Sequence, residues 1–413
     1  MSSLRPVPSS FLAAVAALSL LTGCASADPA PGTDTAATSG ADADAHGEIA
    51  GAEELAEAQV GLTLVGPGGG VTHLDLLDES VADLGTVREP DAVHSDGRYL
   101  FAIDETGVSI VDSGVWTWDH EDHFHYYRAE PRVIGDVEGA GVATVTTTSS
   151  STTGGTGVFF PESGDAVLLD TEALSKGELV ERFRVAGDPG SGIVLPVGSF
   201  AAIAAGDRVM LRDGDGEQVG VTEDCVAAEG SITTRVGGVI GCEDGALLVT
   251  LADGMPQMER IPYPDDAAPR ARQFANREGR PRVAALAGEG GEAGIWILDT
   301  RARTWTLLPA PEPLVQVTAV DDDDAHLLAL TESGRVLILD GETGALRAAT
   351  EPLVAGSLAD GAGGIRLLAD QQRAYLTGPV ERTVWELDFA DDARIARTFT
   401  PTTAPLFAAL TGR

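Results

Sequence analysis

Positive charge is scarce in this sequence. Lysine and arginine together number 27, against 64 aspartates and glutamates, and the formal net charge is −37. A chain this acidic is repelled by phosphate backbones and by anionic lipid surfaces, so the charge balance argues against nucleic acid and anionic membranes as partners. The same charge favours cations and basic protein surfaces.

Long apolar runs are also missing, with one exception near the N-terminus. The run Phe11–Leu21 follows Arg5 and is too short to cross a membrane as a helix. Leu21-Thr22-Gly23-Cys24 comes next and resembles a bacterial lipobox. This resemblance implies a lipoprotein signal peptide at residues 1–23, cleavage before Cys24 and acylation of its thiol. The alternative is an ordinary secretory signal in which Cys24 is a coincidence.

Residues 24–58 contain almost no large apolar side chains and cannot bury a core, which indicates a flexible acidic linker. With a lipid on Cys24, this linker would anchor the protein to the outer face of the cytoplasmic membrane. Within the linker, only Glu53 to Ala58 favours a short helix. His46 lies among acidic residues, either as part of a solvated linker or as a weak metal-catching arm.

Cysteine is rare, with three residues in the whole chain. Apart from Cys24, only Cys225 and Cys242 remain. In an exported protein, two such cysteines are expected to form a disulfide. A zinc site is the alternative, although no histidine lies near them in sequence.

A sustained helical period is absent, and short strand candidates punctuated by glycine, aspartate and serine dominate from about Val60 onward. Asp96–Asp112 resembles Asp324–Asp340, since each contains a strand, a turn with glycine, a second strand and a final aspartate. That aspartate can accept hydrogen bonds from the following turn, which is a structural role. Repeats of roughly 40–50 residues predict an all-β protein, a β-propeller with seven blades, over residues 59–413.

Histidine is scarce too, yet three of the seven histidines lie within six residues: His120, His123 and His125. In an extended chain His123 and His125 share a face with Asp119, roughly 6.5–7 Å apart along the strand. Two imidazoles at that spacing can share one zinc ion, with bonds of about 2.0–2.1 Å. A bend at Asp122 would bring His120 round to the same ion. The alternative is a solvated acidic loop with chance histidines.

This segment follows the strand candidate Val108–Asp112, so we expect it to connect two blades at a mouth of the central channel. Other blades can then add ligands, because zinc prefers four in a tetrahedron. The candidates are His73, His94, His326 or a carboxylate, although most histidines in strands are simply packed or hydrogen-bonded. Tyr126 and Tyr127 are expected to pack the strand or to hydrogen-bond the ligands.

The pattern Asp-His-x-Asp-His-x-His-Tyr-Tyr at Asp119–Tyr127 resembles the exported zinc metallochaperones of the AztD type. The resemblance implies a β-propeller that binds Zn²⁺ and delivers it to the solute-binding protein of a zinc ABC importer. In that family a His-Gly-Glu element follows the first of the paired cysteines, and here Glu229 stands where that histidine would be. The implied metal ligands are His120, Asp122, His123, His125 and Glu229.

We therefore expect a monomeric, extracytoplasmic zinc-binding lipoprotein that is not an enzyme. Two other classes remain open. A propeller-based hydrolase or dehydrogenase would need a nucleophile–base pair or a repeated cofactor motif, neither of which is visible in the sequence. A propeller that serves only as an interaction surface would carry these histidines by chance.

Overall fold

The computed structural model describes residues 49–119, 123–265, 269–288, 291, 294–361 and 363–412. These residues form eight four-stranded antiparallel sheets and one three-stranded sheet. Each four-stranded sheet is one blade of a β-propeller. The prediction of an all-β propeller is therefore confirmed, whereas the predicted count of seven blades is not.

The first half of the chain supplies blades 1 to 4 and a separate hairpin. Blade 1 contains β2 (Gly61–Val65), β3 (Gly70–Asp75), β4 (Val81–Thr86) and β35 (Phe407–Thr411). Blade 2 contains β5 (Ala92–Ser95), β6 (Tyr99–Asp104), β7 (Gly107–Asp112) and β10 (Arg132–Glu138). The three-stranded sheet contains β1 (Glu53–Leu55), β8 (Val115–Asp119) and β9 (Phe124–Arg128). Blade 3 contains β11 (Thr144–Thr147), β12 (Gly155–Phe160), β13 (Asp165–Asp170) and β14 (Glu181–Val185). Blade 4 contains β15 (Gly192–Val197), β16 (Phe200–Ala205), β17 (Arg208–Arg212) and β18 (Gln218–Asp224).

The second half supplies blades 5 to 8. Blade 5 contains β19 (Ser231–Thr234), β20 (Gly237–Cys242), β21 (Gly245–Ala252) and β22 (Met255–Pro262). Blade 6 contains β23 (Ala271–Ala275), β24 (Arg282–Ala287), β25 (Ile295–Asp299) and β26 (Thr304–Leu308). Blade 7 contains β27 (Leu314–Ala319), β28 (His326–Thr331), β29 (Val336–Asp340) and β30 (Leu346–Ala349). Blade 8 contains β31 (Leu367–Ala369), β32 (Ala374–Gly378), β33 (Thr383–Asp388) and β34 (Arg394–Phe399).

Helices are short. The described residues include a 3₁₀ turn at Pro67–Gly69 and the helices α1 (Thr171–Ser175) and α2 (Ala355–Ala359). None of the helices in this part of the chain is long and apolar enough to cross a membrane.

The blades form a closed ring. Each blade contacts the next, and blade 8 contacts blade 1 through β31 and β35. Blade 1 joins the two ends of the chain, since β2 pairs with β35 in the register Gly61↔Thr411, 350 residues apart. The sequence repeat could not show this blade as a unit, because its inner strand lies at the far end of the chain.

The core lies between neighbouring blades, and the middle strands are buried on both faces. Every residue of β6 and β7 is buried, which explains their nearly continuous apolar sequences. Phe101 of β6 and Phe160 of β12 belong to one buried cluster between blades 2 and 3. The aspartates that end these strands act as predicted. Asp340, for example, accepts hydrogen bonds from the backbone N–H groups of Glu342 and Thr343.

The predicted disulfide between Cys225 and Cys242 is confirmed. Cys225 follows β18 of blade 4, Cys242 ends β20 of blade 5, and both side chains are fully buried. The bond therefore ties two neighbouring blades together rather than two strands of one blade.

The predicted signal peptide, Cys24 and most of the predicted linker lie outside the described residues, and those assignments stay predictions. The end of that linker differs from the expected short helix. Residues 53–55 form β1, because they pair antiparallel with β9. A helix of six residues has no such partner and is marginal on its own.

His94 lies at the joint between blades 2 and 3. Its Nε2 is 3.4 Å from Oγ1 of Thr147 on β11. Desolvation by burial lowers the pKa of His94 from its ordinary value of 6.5 to about 4. The folded protein therefore keeps this imidazole neutral at pH values where the unfolded chain protonates it.

Replacing both cysteines tests the link between blades. In protein that begins at Ala25, Cys225→Ser with Cys242→Ser should lower the free energy of unfolding by about 2–4 kcal/mol. Denaturant titration measures this loss, and adding reductant to the wild-type protein should reproduce it. Free thiols in native, non-reduced protein would contradict the bond.

His94 should make the protein less stable in mild acid. The pKa of His94 is lower in the folded protein than in the unfolded chain. The stability that the neutral imidazole contributes is therefore fully present above about pH 6.5 and is lost as the pH falls towards 4. As the pH falls from 7 to 4.5, the free energy of unfolding of His94→Gln should therefore rise relative to that of the wild-type protein, as measured by denaturant titration at both pH values. Thr147→Val is the control, because it removes the hydrogen-bond partner and should shift stability by a similar amount at both pH values. A pH-independent difference between His94→Gln and wild type would contradict the assignment.

Candidate metal centre at the channel mouth

The predicted metal-binding segment forms a β-hairpin, β8 and β9. It is inserted between β7 and β10, the third and fourth strands of blade 2, so it does not lead into a new blade as the sequence suggested. In an antiparallel blade, this connection lies on the same side as the connection between the first and second strands. The hairpin therefore lies at the mouth of the channel where the inner strands end; we call this the hairpin mouth.

Two polar contacts show that the hairpin reaches across this mouth. Thr117 Oγ1 donates a hydrogen bond to the carbonyl oxygen of Gly412, directly after β35 of blade 1, at 3.0 Å. Oδ2 of Asp119 lies 3.9 Å from Nη2 of Arg235, in the turn after β19 of blade 5. Blades 1 and 5 are opposite each other in a ring of eight.

The base of the hairpin is held by a fully buried arginine. Arg98 donates two hydrogen bonds to the carboxylate of Asp112, at 2.9 and 2.8 Å, and both side chains have no exposed surface. The guanidinium also lies over the ring of Trp116, 3.8 Å from its centre. This cation–π contact fixes the start of β8 against blade 2.

One face of the hairpin is a row of rings. Register pairs Trp116 with Tyr127 and Trp118 with His125, and the rings of Trp116 and Tyr127 stack at 5.3 Å. The imidazole of His125 lies 6.2 Å from the ring of Tyr127, nearly parallel to it, and 5.8 Å from that of Trp118. With 17% of its side chain exposed, His125 is half-buried and fixed by these neighbours.

His123 joins His125 at the tip of the hairpin. Their ring centres are 4.7 Å apart, so the two imidazoles lie together as their spacing predicted. His123 is exposed. Asp119 was expected on the same face but pairs with Phe124 on the other one, because the chain reverses direction between β8 and β9. Two imidazoles this close can direct nitrogens towards one ion.

Glu54 is a residue of this site that sequence analysis missed. Its Oε1 lies 2.6 Å from Nδ1 of His125, and the two residues are 71 positions apart. No local pattern could have revealed the contact, because it depends on the pairing of β1 with β9.

The other implied ligands do not join this pair within the described residues. His120 and Asp122 lie outside them. Glu229 precedes the start of β19, and the other end of β19 lies at the hairpin mouth. Along that strand, Glu229 is therefore about 16 Å from the hairpin mouth. Its carboxylate instead lies 2.8 Å from Nη1 of Arg272 and 3.5 Å from Nη1 of Arg270.

The other three histidines that the structure describes, His73, His94 and His326, are engaged within the propeller. Nδ1 of His73 lies 3.2 Å from Oγ1 of Thr63, and desolvation by burial lowers the pKa of His73. Nδ1 of His326 lies 2.6 Å from Oδ2 of Asp322. His94 lies between blades 2 and 3, as described above. Across the described residues, no group of three or more His, Cys, Asp or Glu side chains could hold a metal ion. A complete zinc site therefore needs ligands beyond those described.

Comparison with known proteins identifies the fold. No protein-family model matches this chain, and no curated protein matches it either. Among solved structures, apo AztD from Citrobacter koseri is similar with a TM-score of 0.72 and 18% sequence identity, over 86% of this chain and 98% of that one. A second structure of Citrobacter koseri AztD gives a TM-score of 0.71 and 19% identity, over 86% and 99% of the two chains. The dihydro-heme d1 dehydrogenase NirN gives a TM-score of 0.54 and 16% identity, over 87% and 76%. The protein thus has an AztD-type β-propeller fold.

Proposed function

We propose that this protein is an extracytoplasmic zinc metallochaperone that delivers zinc to the solute-binding protein of a zinc ABC importer. The observation that carries the proposal is the pair His123 and His125, 4.7 Å apart at the mouth of an AztD-type propeller. The motif at Asp119–Tyr127, which resembles the AztD-type zinc metallochaperones, lies on this same hairpin.

The proposed zinc ligands are His123 and His125, with His120 and Asp122 from the segment that connects the two strands. Three imidazoles and one carboxylate would complete the tetrahedron that zinc prefers. Glu229, which the family resemblance implied as a ligand, is left out of this site. Glu229 lies near the opposite mouth, and its carboxylate is paired with Arg270 and Arg272 instead of facing the histidine pair.

The two described histidines differ in a way that suits transfer of a metal ion. His125 is half-buried and stacked between rings, whereas His123 is exposed. An acceptor can displace the exposed ligand first, while the fixed one still binds the ion. Ligand-by-ligand exchange of this kind avoids release of free zinc. The net charge of −37 favours the approach of cations to the protein.

The predicted lipid on Cys24 would keep the protein at the outer face of the cytoplasmic membrane, beside an importer. The predicted flexible linker, some 28 residues between Cys24 and β1, would have a root-mean-square length of roughly 30 Å. The propeller would therefore reach a binding protein near the membrane without leaving its anchor. The lipid anchor is the only membrane attachment we propose.

An enzyme is the alternative function. The similarity to NirN, a dehydrogenase, means that the fold alone does not separate binding from catalysis. The paired histidines on the hairpin favour metal binding. Turnover of a chromogenic ester or lactone, or an organic cofactor that copurifies with the protein, would favour the enzyme.

Removing the two histidines should abolish tight zinc binding. In the double variant His123→Ala with His125→Ala, the affinity for zinc should fall by more than about 100-fold, since loss of a residue that merely orients a ligand already costs 10–100-fold. Competition titration against a chelator measures the affinity. Phe124→Ala is the control, because this exposed side chain lies between the two histidines in sequence and faces the other way. Equal affinity in the double variant and the control would place the site elsewhere.

Zinc should pass directly to an acceptor. Affinity differences lie mostly in the dissociation rate, so free release from a tight site is slow. Stopped-flow loading of an apo solute-binding protein should therefore be faster than loss of zinc to an equal concentration of chelator, and it should saturate with acceptor concentration. If the acceptor fills no faster than the chelator, the protein stores or senses zinc, and the metallochaperone proposal fails.

A further inference from the structure

Glu54, on a strand far from the histidine motif in sequence, contacts the half-buried member of the histidine pair. We infer that Glu54 is a positioning residue, which orients the imidazole of His125 so that Nε2 binds the metal ion. This inference rests on the proposed function and adds a second chain segment to the zinc site.

The register of β1 brings the carboxylate to the ring. Antiparallel pairing places Glu54 directly opposite Tyr127 and Glu53 opposite Arg128. His125 is two residues from Tyr127, so it lies on the same face of the sheet, diagonal to Glu54 and within reach of a long side chain. The result is the 2.6 Å contact between Oε1 of Glu54 and Nδ1 of His125.

This contact determines which ring nitrogen carries the proton. An ionised carboxylate can only accept hydrogen bonds, so Nδ1 of a neutral His125 must be the donor. The lone pair then lies on Nε2, the atom that can bind a metal ion. Carboxylates orient metal-binding histidines in this way in many zinc sites, where they fix the tautomer and raise the basicity of the ligand.

The aromatic neighbours of His125 cannot by themselves determine which ring nitrogen faces the metal ion. Tyr127 stacks on the imidazole with an interplanar angle of 15°, and Trp118 lies on the paired strand. Stacking restricts the plane of the ring, but a half-turn about the Cβ–Cγ bond keeps the plane and exchanges Nδ1 with a carbon. The hydrogen bond to Glu54 selects one of these two orientations.

The inference also gives the N-terminal segment a role. Residues 53–55 lie near the end of the predicted linker and pair with the hairpin, β1 beside β9. The end of the linker is therefore part of the metal site. A hairpin without β1 would contain the histidines but not the group that orients one of them.

Glu54→Gln provides the test. The amide has the same size but can present either its oxygen or its NH₂ group, so it no longer imposes one tautomer. Zinc affinity should fall roughly 10-fold to 100-fold. Glu53→Gln is the matched control, since it makes the same charge change at the neighbouring exposed residue, which faces the other way on β1. Glu54→Asp keeps the charge but cannot reach Nδ1, and it should behave like Glu54→Gln.

Long-range ¹H–¹⁵N NMR of the metal-free protein reads the tautomer directly. The wild-type protein and Glu53→Gln should carry the His125 proton on Nδ1, whereas Glu54→Gln should show a mixture of tautomers. Circular dichroism and thermal unfolding verify that each variant is folded.

The outcomes separate this inference from the proposed function. Wild-type protein that binds no zinc would overturn both. If the wild-type protein binds zinc but Glu54→Gln binds it as tightly as Glu53→Gln, the inference alone is wrong. A wild-type His125 with its proton on Nε2 would also overturn it.

Discussion

The buried ion pair between Arg98 and Asp112 is the contact on which the hairpin mouth depends. Arg98 lies in the connection between the first two strands of blade 2, Asp112 ends the third strand, and Trp116 is the second residue of β8 in the hairpin. One guanidinium thus joins three segments at a point without solvent. Removing one partner of a buried pair typically costs about 3–5 kcal/mol, because the other charge stays buried and uncompensated. From Trp116 the packing continues through Tyr127 to His125, so the position of His125, a proposed zinc ligand, is fixed from blade 2 outwards.

The propeller is a rigid framework, and the proposed zinc ligands His123 and His125 lie on a hairpin inserted in one blade. Ring closure through β2 and β35 fixes the relative positions of all the inner strands, including those that the hairpin contacts in blades 1 and 5. His73, His94 and His326 lie within the propeller, where they contact Thr63, Thr147 and Asp322 respectively. Of the two histidines in the pair, His123 is the exposed one, so solvent and a partner protein reach it more easily than His125.

Much of this could be predicted from local sequence patterns. Short apolar strands between glycine turns predicted the propeller. The Asp96–Asp112 repeat predicted the two middle strands of a blade. The spacing of His123 and His125 predicted that they share one face of the strand. What could not be predicted depends on how distant segments pack: the blade closed by β35, the fact that the predicted disulfide links two different blades, the remote position of Glu229, and the pairing that brings Glu54 to His125. Residues 53–55 favour a helix locally, and only the exposed edge of β9 makes them a strand.

We propose above all that the histidine pair of the hairpin binds zinc. Anomalous diffraction at the zinc edge, from crystals of the full mature chain loaded with one equivalent of zinc, tests it most directly. We expect one dominant peak at the hairpin mouth, about 2.0–2.1 Å from nitrogens of His123 and His125. A dominant peak beside Glu229 at the opposite mouth, or no peak within bonding distance of either histidine, would contradict it.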